Sequence, residues 1–237
     1  MEKPVKRFYR TVTVERVEGG YAVALDGRQI RTQGEGLPQT LPTRTLADLL
    51  AQEWARQGET IDLSGFPARA LADYAIDRVA PDRCAAADRL LRFIDTDTLC
   101  YRADPEEPLH RRQMEVWEPI ITRFEQRTGS RLVRVSGVLH RPQPAATLAA
   151  VKAQLMEWNA FALAGLETLA SLAASLTVAL EVAEPGADAA ALWAAAALEE
   201  EWQAELWGRE PEAEARRARR RIEFMAARDF VLAARAT

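Results

Sequence analysis

Cysteine and histidine are the scarcest chemically reactive residues in this chain of 237 residues, which contains two of each. Cys84 and Cys100 are too far apart for a CxxC motif, and no Cys/His spacing matches that of a zinc site. These absences exclude a disulfide-stapled secreted scaffold and a conventional protein zinc site. We therefore expect a reduced, intracellular protein that binds no metal and no cofactor.

Glycine-rich motifs and a net basic charge are also missing. The patterns GxGxxG, GxxxxGK[ST] and GxSxG do not occur, which argues against a dinucleotide fold, a P-loop and an α/β-hydrolase nucleophile. The formal net charge is -4, so the chain as a whole offers no positive field to nucleic acid. The composition, with 48% hydrophobic and 28% charged residues, is that of a globular protein with a sizeable core.

A secretory leader and a clear membrane span are lacking as well. Met1–Arg7 contains no apolar stretch, so we expect no signal peptide and a bacterial cytoplasmic location. Phe161–Leu180 is nearly all apolar and long enough to cross a bilayer, but Glu167 lies near its middle. We predict one helix there, buried among other helices, and no membrane insertion.

The chain begins with a β-rich segment. Apolar and polar residues alternate over Phe8–Val17 and again over Tyr21–Leu25, which is the period of half-buried strands. Asp26-Gly27 is a two-residue hairpin signal, and Arg28–Thr32 follows it. The sequence predicts a small antiparallel meander, which must pack on another element to be stable.

A first helix is predicted between Pro42 and Gly58. Its apolar stripe consists of Leu46, Leu49, Leu50 and Trp54. Because the strands and this helix come before a long helical remainder, we expect an α+β fold. Its small N-terminal β-rich domain, with one helix, would span residues 1–64, and a larger multihelical C-terminal domain would span residues 65–237.

Within the helical remainder, prolines and changes of periodicity mark where one predicted element ends and the next begins. We expect Pro119 to begin the second half of a helical pair, since proline is favoured in the first turn of a helix. Alternation predicts a short strand over Arg131–Ser136, and an Ala-rich helix is predicted over Asp188–Trp207. A charged helix follows, from about Glu210 to the end of the chain.

Leu198–Gly208 carries the most unusual mixture of residues in the chain. Four carboxylates, one amide and two indoles share a predicted helix. At 3.6 residues per turn two stripes overlap, namely Glu199, Gln203 and Leu206, and Glu200, Gln203 and Trp207. Tryptophan supplies binding energy at interfaces and acidic groups supply orientation, so the mixture favours a surface that binds another protein. An ordinary amphipathic helix with a solvated acidic face is the alternative.

Two other groups of residues leave different functions open. Carboxylates and imidazoles can do acid/base chemistry, which allows a small-molecule enzyme with a site at the domain interface. The candidate residues are Asp95, Asp97, His110 and His140. Arg216–Arg221 is a basic run, either a solvated and salt-bridged helix face or a strip that meets an acidic partner.

Six stretches, taken together and in order, resemble a known family. They are Lys6–Tyr9, Leu25–Arg28, Leu41–Trp54, Ala75–Arg78, Thr96–Tyr101 and Leu198–Gly208. The chain is similar to the assembly chaperone of the catalytic head of the F-type ATP synthase, the family that binds the alpha subunit. Organelle members carry a Trp and a His-Asp pair beyond Gly208, where this chain has Arg209-Glu210-Pro211. This difference favours a bacterial member, whereas the mitochondrial matrix is the place expected for organelle relatives.

The resemblance implies a two-part fold, no catalysis and the alpha subunit as partner. It also implies that acidic residues of the Glu-Glu-Glu-Trp-Gln segment matter for chaperone work, without saying which. We expect the partner-binding residues to be Glu199, Glu200, Glu201, Trp202, Gln203, Trp207 and Gly208. The chain would cover the surface by which alpha contacts beta until assembly, and we expect it to be monomeric when free.

Overall fold

The structure is a computed structural model that describes residues 5–137 and 139–236. Contacts divide it into two compact units. The first comprises the described residues up to Arg83, with Asn159–Gly165 and the described residues from Asp229 onward. The second comprises Cys84–Trp158 and Leu166–Arg228, apart from Val138. A small antiparallel sheet comes first and a larger helical region follows, so the α+β prediction is confirmed.

The strands and helices have the following bounds. The strands are β1 (Val12–Val17), β2 (Gly20–Leu25), β3 (Arg28–Gln29), β4 (Tyr101–Arg102) and β5 (Val135–Ser136). The α-helices are α1 (Arg44–Ala55), α2 (Pro67–Tyr74), α3 (Arg83–Asp95), α4 (Pro108–Thr128), α5 (Ala145–Met156), α6 (Ala160–Ala173), α7 (Leu176–Val182), α8 (Ala189–Ala196), α9 (Leu198–Trp207) and α10 (Pro211–Arg235). A π-helix, Ala75–Val79, continues α2, and short 3-10 turns lie at Leu63–Gly65, Ala80–Asp82 and Thr98–Cys100.

The sheet of the first unit is the predicted meander, in the order β1-β2-β3. Asp26 and Gly27 have φ of 48° and 77°, which are the positive values that a type I′ hairpin turn requires. The turn pairs Leu25 with Arg28 and fixes the register of the hairpin. Helix α1 packs on β1 and β2, and its buried Leu46, Leu50 and Trp54 form much of the core. Leu49, also predicted for that stripe, is only partly buried.

A loop after β3 is held by two carboxylates from α2 and the π-helix. Asp73 accepts hydrogen bonds from the backbone N–H of Gln33 at 3.2 Å and from the side chain of Gln39 at 2.6 Å. Asp77 accepts from the backbone N–H of Glu35 at 3.1 Å. A Cβ at Gly34 would lie 2.6 Å from an Asp77 oxygen, so a larger residue would displace the Asp77 side chain. These bonds give the Ala75–Arg78 stretch a structural role.

Helix α4 is central to the second unit and differs from its prediction. Pro119 does not start a new helix, because α4 is continuous from Pro108 to Thr128. A proline inside a helix frees the carbonyl four residues earlier, here that of Glu115. Both Pro119 and Glu115 are exposed, so water can satisfy that carbonyl and the helix tolerates the proline. The predicted pair is therefore wrong, and one rigid helix results.

Two predicted long helices are each divided in the structure. Phe161–Leu180 forms α6 and α7, because Ala174 has φ of 48° and the Ser175 side chain caps α7 by accepting from the N–H of Val178. Asp188–Trp207 forms α8 and α9, with the break at Ala197. The first turn of α9 contains three carboxylates, which interact favourably with the positive end of the helix dipole. This interaction favours a separate helix that begins at Leu198.

Two further expectations concern boundaries. The strand predicted over Arg131–Ser136 is confined to β5, which pairs in parallel with β4. The division expected after residue 64 stays a prediction, while contacts extend the first unit to Arg83 and add two later segments to it. Across the described parts of the chain, no helix is both long enough and apolar enough to cross a membrane.

Candidate functional site

The Leu198–Gly208 segment forms α9 and its C-terminal cap. Leu198 is buried and anchors the start of the helix. Gly208 ends it with φ of 95°, a conformation that a side chain would strain, and its N–H donates to the Ala204 carbonyl at 3.0 Å. Gly208 therefore has a clear structural role, because it turns the chain from α9 toward α10.

Glu199 is held against α4 by a buried glutamine. Nε2 of Gln113 donates to Glu199 Oε1 at 2.7 Å, while Oε1 of Gln113 accepts from the Ala103 N–H at 2.8 Å. Burial raises the pKa of Glu199, and the hydrogen bond from Gln113 opposes that shift only in part. Among the residues that the structure describes, no basic side chain pairs with Glu199. Its carboxylate is thus an acceptor without a cation.

Glu200 and Glu201 are already paired within the chain. Arg220 donates to Glu200 at 2.8 Å, and Arg217 donates to Glu201 at 2.7 Å. Arg209 also pairs with Glu201. The Arg217 side chain is only 16% exposed, so this cluster is stronger than isolated surface pairs, which contribute about 0–1 kcal/mol each. These two carboxylates join α9 to α10.

On its other side, α9 is joined to α4 by a charged and aromatic group. Arg112 donates to both carboxylate oxygens of Glu205, at 2.5 and 3.0 Å. This bond lowers the pKa of Glu205 and raises that of Arg112. The Arg112 guanidinium also lies 5.6 Å from the ring centroid of Trp202, a cation–π distance. Trp202 therefore has a partner inside the chain.

The C-terminal end of α9 presents large apolar side chains to solvent. Trp207 is 79% exposed and Leu206 is 59% exposed. A groove of about 780 Å³ lies toward α4 and β4, and a second of about 480 Å³ lies toward α10. Gln203 and Trp207 line both grooves, so they stand on the ridge between them. We call this exposed surface, from Glu199 to Trp207 with its two grooves, the α9 ridge.

The residues singled out from sequence are therefore together on the α9 ridge but differ in role. Glu199, Gln203 and Trp207 line the grooves. Glu200, Glu201 and Trp202 bind charged side chains of neighbouring segments, and Glu199 binds the neutral Gln113 of α4. Residues of this surface that the sequence analysis did not include among the expected partner-binding residues are Gln113, Arg112, Glu205, Leu206 and Arg209. Only Leu206 and Glu205 had a signal, since they lie within the same helical period.

The basic run Arg216–Arg221 contributes to the same surface. Arg217 and Arg220 form ion pairs with the glutamates of α9. The Arg220 guanidinium also donates to the Leu172 carbonyl at 2.7 Å and lies 5.6 Å from the ring of Trp193. Part of the run is thus a structural clamp within the second unit.

The residues considered for acid/base chemistry lie in the second unit and have other partners. Asp97 is fully buried, and its carboxylate accepts from the N–H groups of Leu99 at 3.0 Å and Thr177 at 2.8 Å. Burial raises the pKa of Asp97. Asp95 accepts from the Gln143 N–H at 2.8 Å, which is a loop-holding contact.

Of the two histidines, His140 alone joins one of these carboxylates. It lies 3.6 Å from Asp95 and hydrogen bonds with the Tyr101 hydroxyl at 3.0 Å. His110 lies in the first turn of α4, where its N–H bonds to the Glu107 carbonyl at 3.1 Å. Within residues 5–137 and 139–236, no group of three or more His, Cys, Asp and Glu side chains could hold a metal ion.

Comparisons with known proteins cover almost the whole chain. A family model described as ATP12 chaperone protein matches residues 6–125. Atp12 from Paracoccus denitrificans is 37% identical, and its crystal structure matches with a TM-score of 0.91 over 98% of this chain and 99% of that chain. The Atu1473 protein from Agrobacterium tumefaciens is 41% identical, with a TM-score of 0.89 over 96% of this chain and 85% of that one. The chain therefore belongs to the ATP12 family of ATP synthase assembly chaperones.

Proposed function

We propose that this chaperone binds the free alpha subunit of the ATP synthase catalytic head and covers its beta-contacting surface until beta arrives. The observation that carries the proposal is the α9 ridge, where Trp207 is 79% exposed beside Leu206 and two grooves. An exposed tryptophan adds nothing to the fold of a monomer, whereas tryptophan dominates the energetics of many interfaces.

The roles of the ridge residues follow from their contacts. Trp207 and Leu206 supply apolar area that a partner can bury. Glu199 supplies an uncompensated carboxylate in the larger groove, where a Lys or Arg of alpha would find a partner. The paired glutamates keep α9 in place, so the ridge is rigid before binding and loses little conformational freedom on binding.

A moderate interface suits this task. A free alpha subunit exposes apolar surface that later contacts beta, and such surface promotes aggregation. The chaperone must cover that surface yet be displaced by the larger permanent contact. We propose that one chain, monomeric before binding, covers one alpha subunit.

The test is co-purification of the tagged chain with separately expressed alpha and beta subunits, analysed by light scattering for stoichiometry. We expect retention of alpha and not of beta, a complex of one chain with one alpha, and release of alpha when beta is added. Retention of beta alone, or of neither subunit, would contradict the proposal.

A further inference from the structure

The first unit contains a groove that the α9 ridge does not explain. Its volume is about 510 Å³, within the range of pockets that hold ligands. The side chains that matter most in its lining are Phe8, Tyr9, Trp54, Arg28, Arg31 and Arg69. Aromatic and guanidinium groups are thus concentrated on one side of the small sheet and α1. We call it the Phe8 groove.

The aromatic side chains form a row that ends in solvent. Phe8 contacts Tyr9 edge-to-face with centroids 5.4 Å apart, and Tyr9 contacts Trp54 in the same way at 5.4 Å. Tyr9 and Trp54 are buried, whereas Phe8 is 67% exposed. Trp54 holds Tyr9 in place, and Tyr9 in turn contacts Phe8. Phe8 is therefore a preorganised apolar anchor at the mouth of the groove.

The charge of the groove is positive. Three guanidinium groups, from Arg28, Arg31 and Arg69, face one carboxylate, that of Asp26. The Asp26 carboxylate already accepts from the Arg10 and Thr11 N–H groups and from the Thr11 hydroxyl. Those hydrogen bonds, chiefly with Thr11, lower its pKa. Asp26 is therefore held by its own turn, and Arg28 and Arg31 leave the groove lining with an excess of positive charge.

Trp54 and Arg69, which also line the groove, are held within the fold. Nε1 of Trp54 and Nε of Arg69 are buried without a hydrogen-bond partner among the described residues. The Arg69 guanidinium lies 4.8 Å from the Trp54 ring, and its Nε forms an ion pair with Asp73 at 4.0 Å. Both donors are shielded from solvent, so the charge that an incoming carboxylate can reach is that of the exposed Arg28 and Arg31.

We propose that the Phe8 groove is a second binding surface, which takes an extended acidic segment of a partner polypeptide. Carboxylates of the segment pair with Arg28 and Arg31, and an apolar side chain of the segment packs on Phe8. A polypeptide suits the groove because the family assists protein assembly and because the whole chain, at net charge -4, has no field that attracts nucleic acid.

The test uses the full chain and a short fluorescein-labelled peptide of Glu, Leu and Ser, followed by fluorescence anisotropy. We expect saturable binding that weakens with salt, and loss of binding when Gln replaces Glu in the peptide. The double variant Phe8→Ala/Arg28→Gln should bind at least about tenfold more weakly. The matched variant Leu63→Ala/Arg16→Gln, which removes an exposed apolar side chain and an exposed arginine outside the groove lining, should bind as the unmodified chain does.

Three outcomes would overturn the proposal. They are equal binding of the acidic and neutral peptides, equal binding by the groove and matched variants, and binding of a single-stranded oligonucleotide in place of the peptide. Retention of alpha by a Trp207→Ala variant is measured separately, so failure of this proposal is distinguishable from failure of the α9 proposal. Circular dichroism of each variant shows whether the fold is kept.

Discussion

At the scale of single residues, Glu199 illustrates a conflict between stability and binding. Its carboxylate is half-buried, and its hydrogen-bond partner is the neutral amide of Gln113. A neutral side chain of the same shape would fit the folded chain better, because it loses less hydration. Natural proteins retain such unfavourable groups at functional sites, where a partner compensates them.

We predict that Glu199→Gln raises stability at neutral pH. Burial raises the pKa of Glu199 in the folded chain, so this group favours folding below its unfolded pKa, about 4.3, and that contribution is lost as pH rises through the folded pKa. The variant should melt at a higher temperature at pH 7. The gain in its free energy of unfolding should be less than about 1 kcal/mol. Thermal melts across pH measure this.

The matched control is Glu115→Gln, at an exposed position on α4. It should change neither the melting temperature nor its pH dependence. If Glu199→Gln is more stable yet retains less alpha, the conflict is demonstrated. An unchanged melting curve at every pH would contradict the burial account.

The buried hydrogen bonds of Asp97 give it a structural role that mutation should expose. Its carboxylate satisfies the N–H groups of Leu99 and Thr177, and it is fully buried. Asp97→Ala leaves both donors unsatisfied, so we predict a loss of about 2–4 kcal/mol in the free energy of unfolding by urea. Asp97→Asn keeps one acceptor oxygen and should lose less. Equal midpoints for Asp97→Ala and the unmodified chain would contradict this role.

At the scale of elements, the sequence predicts those that carry a local signal, but it does not predict the breaks inside helices. Asp26-Gly27 specifies its hairpin through its own backbone preferences, so the meander follows from sequence. The break between α6 and α7 depends on Ala174 adopting a positive φ, for which alanine gives no signal. Ser175 was the available clue, because serine is a favoured helix cap.

Ala174 provides a direct test of that break. A left-handed conformation costs alanine about 1–2 kcal/mol, and glycine avoids this cost but loses about 0.5–1 kcal/mol of entropy. We predict that Ala174→Gly, at an exposed position, stabilises the fold by up to about 1 kcal/mol in urea unfolding. Ala215→Gly, at an exposed position inside α10, should instead destabilise it. Destabilisation by Ala174→Gly would indicate a continuous helix.

The junction of α9 with α10 depends on Arg217, which contacts Glu200, Glu201 and Glu214. We predict that Arg217→Ala costs about 1–2 kcal/mol and speeds amide hydrogen exchange over Leu198–Trp207. Exposed Arg216→Ala is the control and should leave exchange unchanged. Equal exchange in both variants would show that the ion pairs do not hold α9.

At the scale of the whole molecule, the pairing of distant residues limited what sequence could reveal. The resemblance and the Glu/Trp mixture led to α9, yet which glutamate lacks a cation depends on Gln113, Arg112 and Arg217, which are remote in the chain. The family model itself ends at residue 125, before the α9 ridge. Only the folded chain separates helix-holding glutamates from the one that faces a groove uncompensated.

The two proposed surfaces offer a partner charges of different sign. The α9 ridge combines an acidic group with Trp207, and the Phe8 groove combines basic groups with Phe8. The formal net charge of -4 conceals this division.

The central claim is tested most directly by retention of the alpha subunit on the tagged Trp207→Ala variant. The account predicts at least about tenfold weaker binding than by the unmodified chain, with an unchanged melting temperature, since Trp207 is 79% exposed. The control Leu63→Ala removes another side chain that is 62% exposed and should retain alpha fully. Full retention of alpha by Trp207→Ala would contradict the claim that the α9 ridge binds alpha.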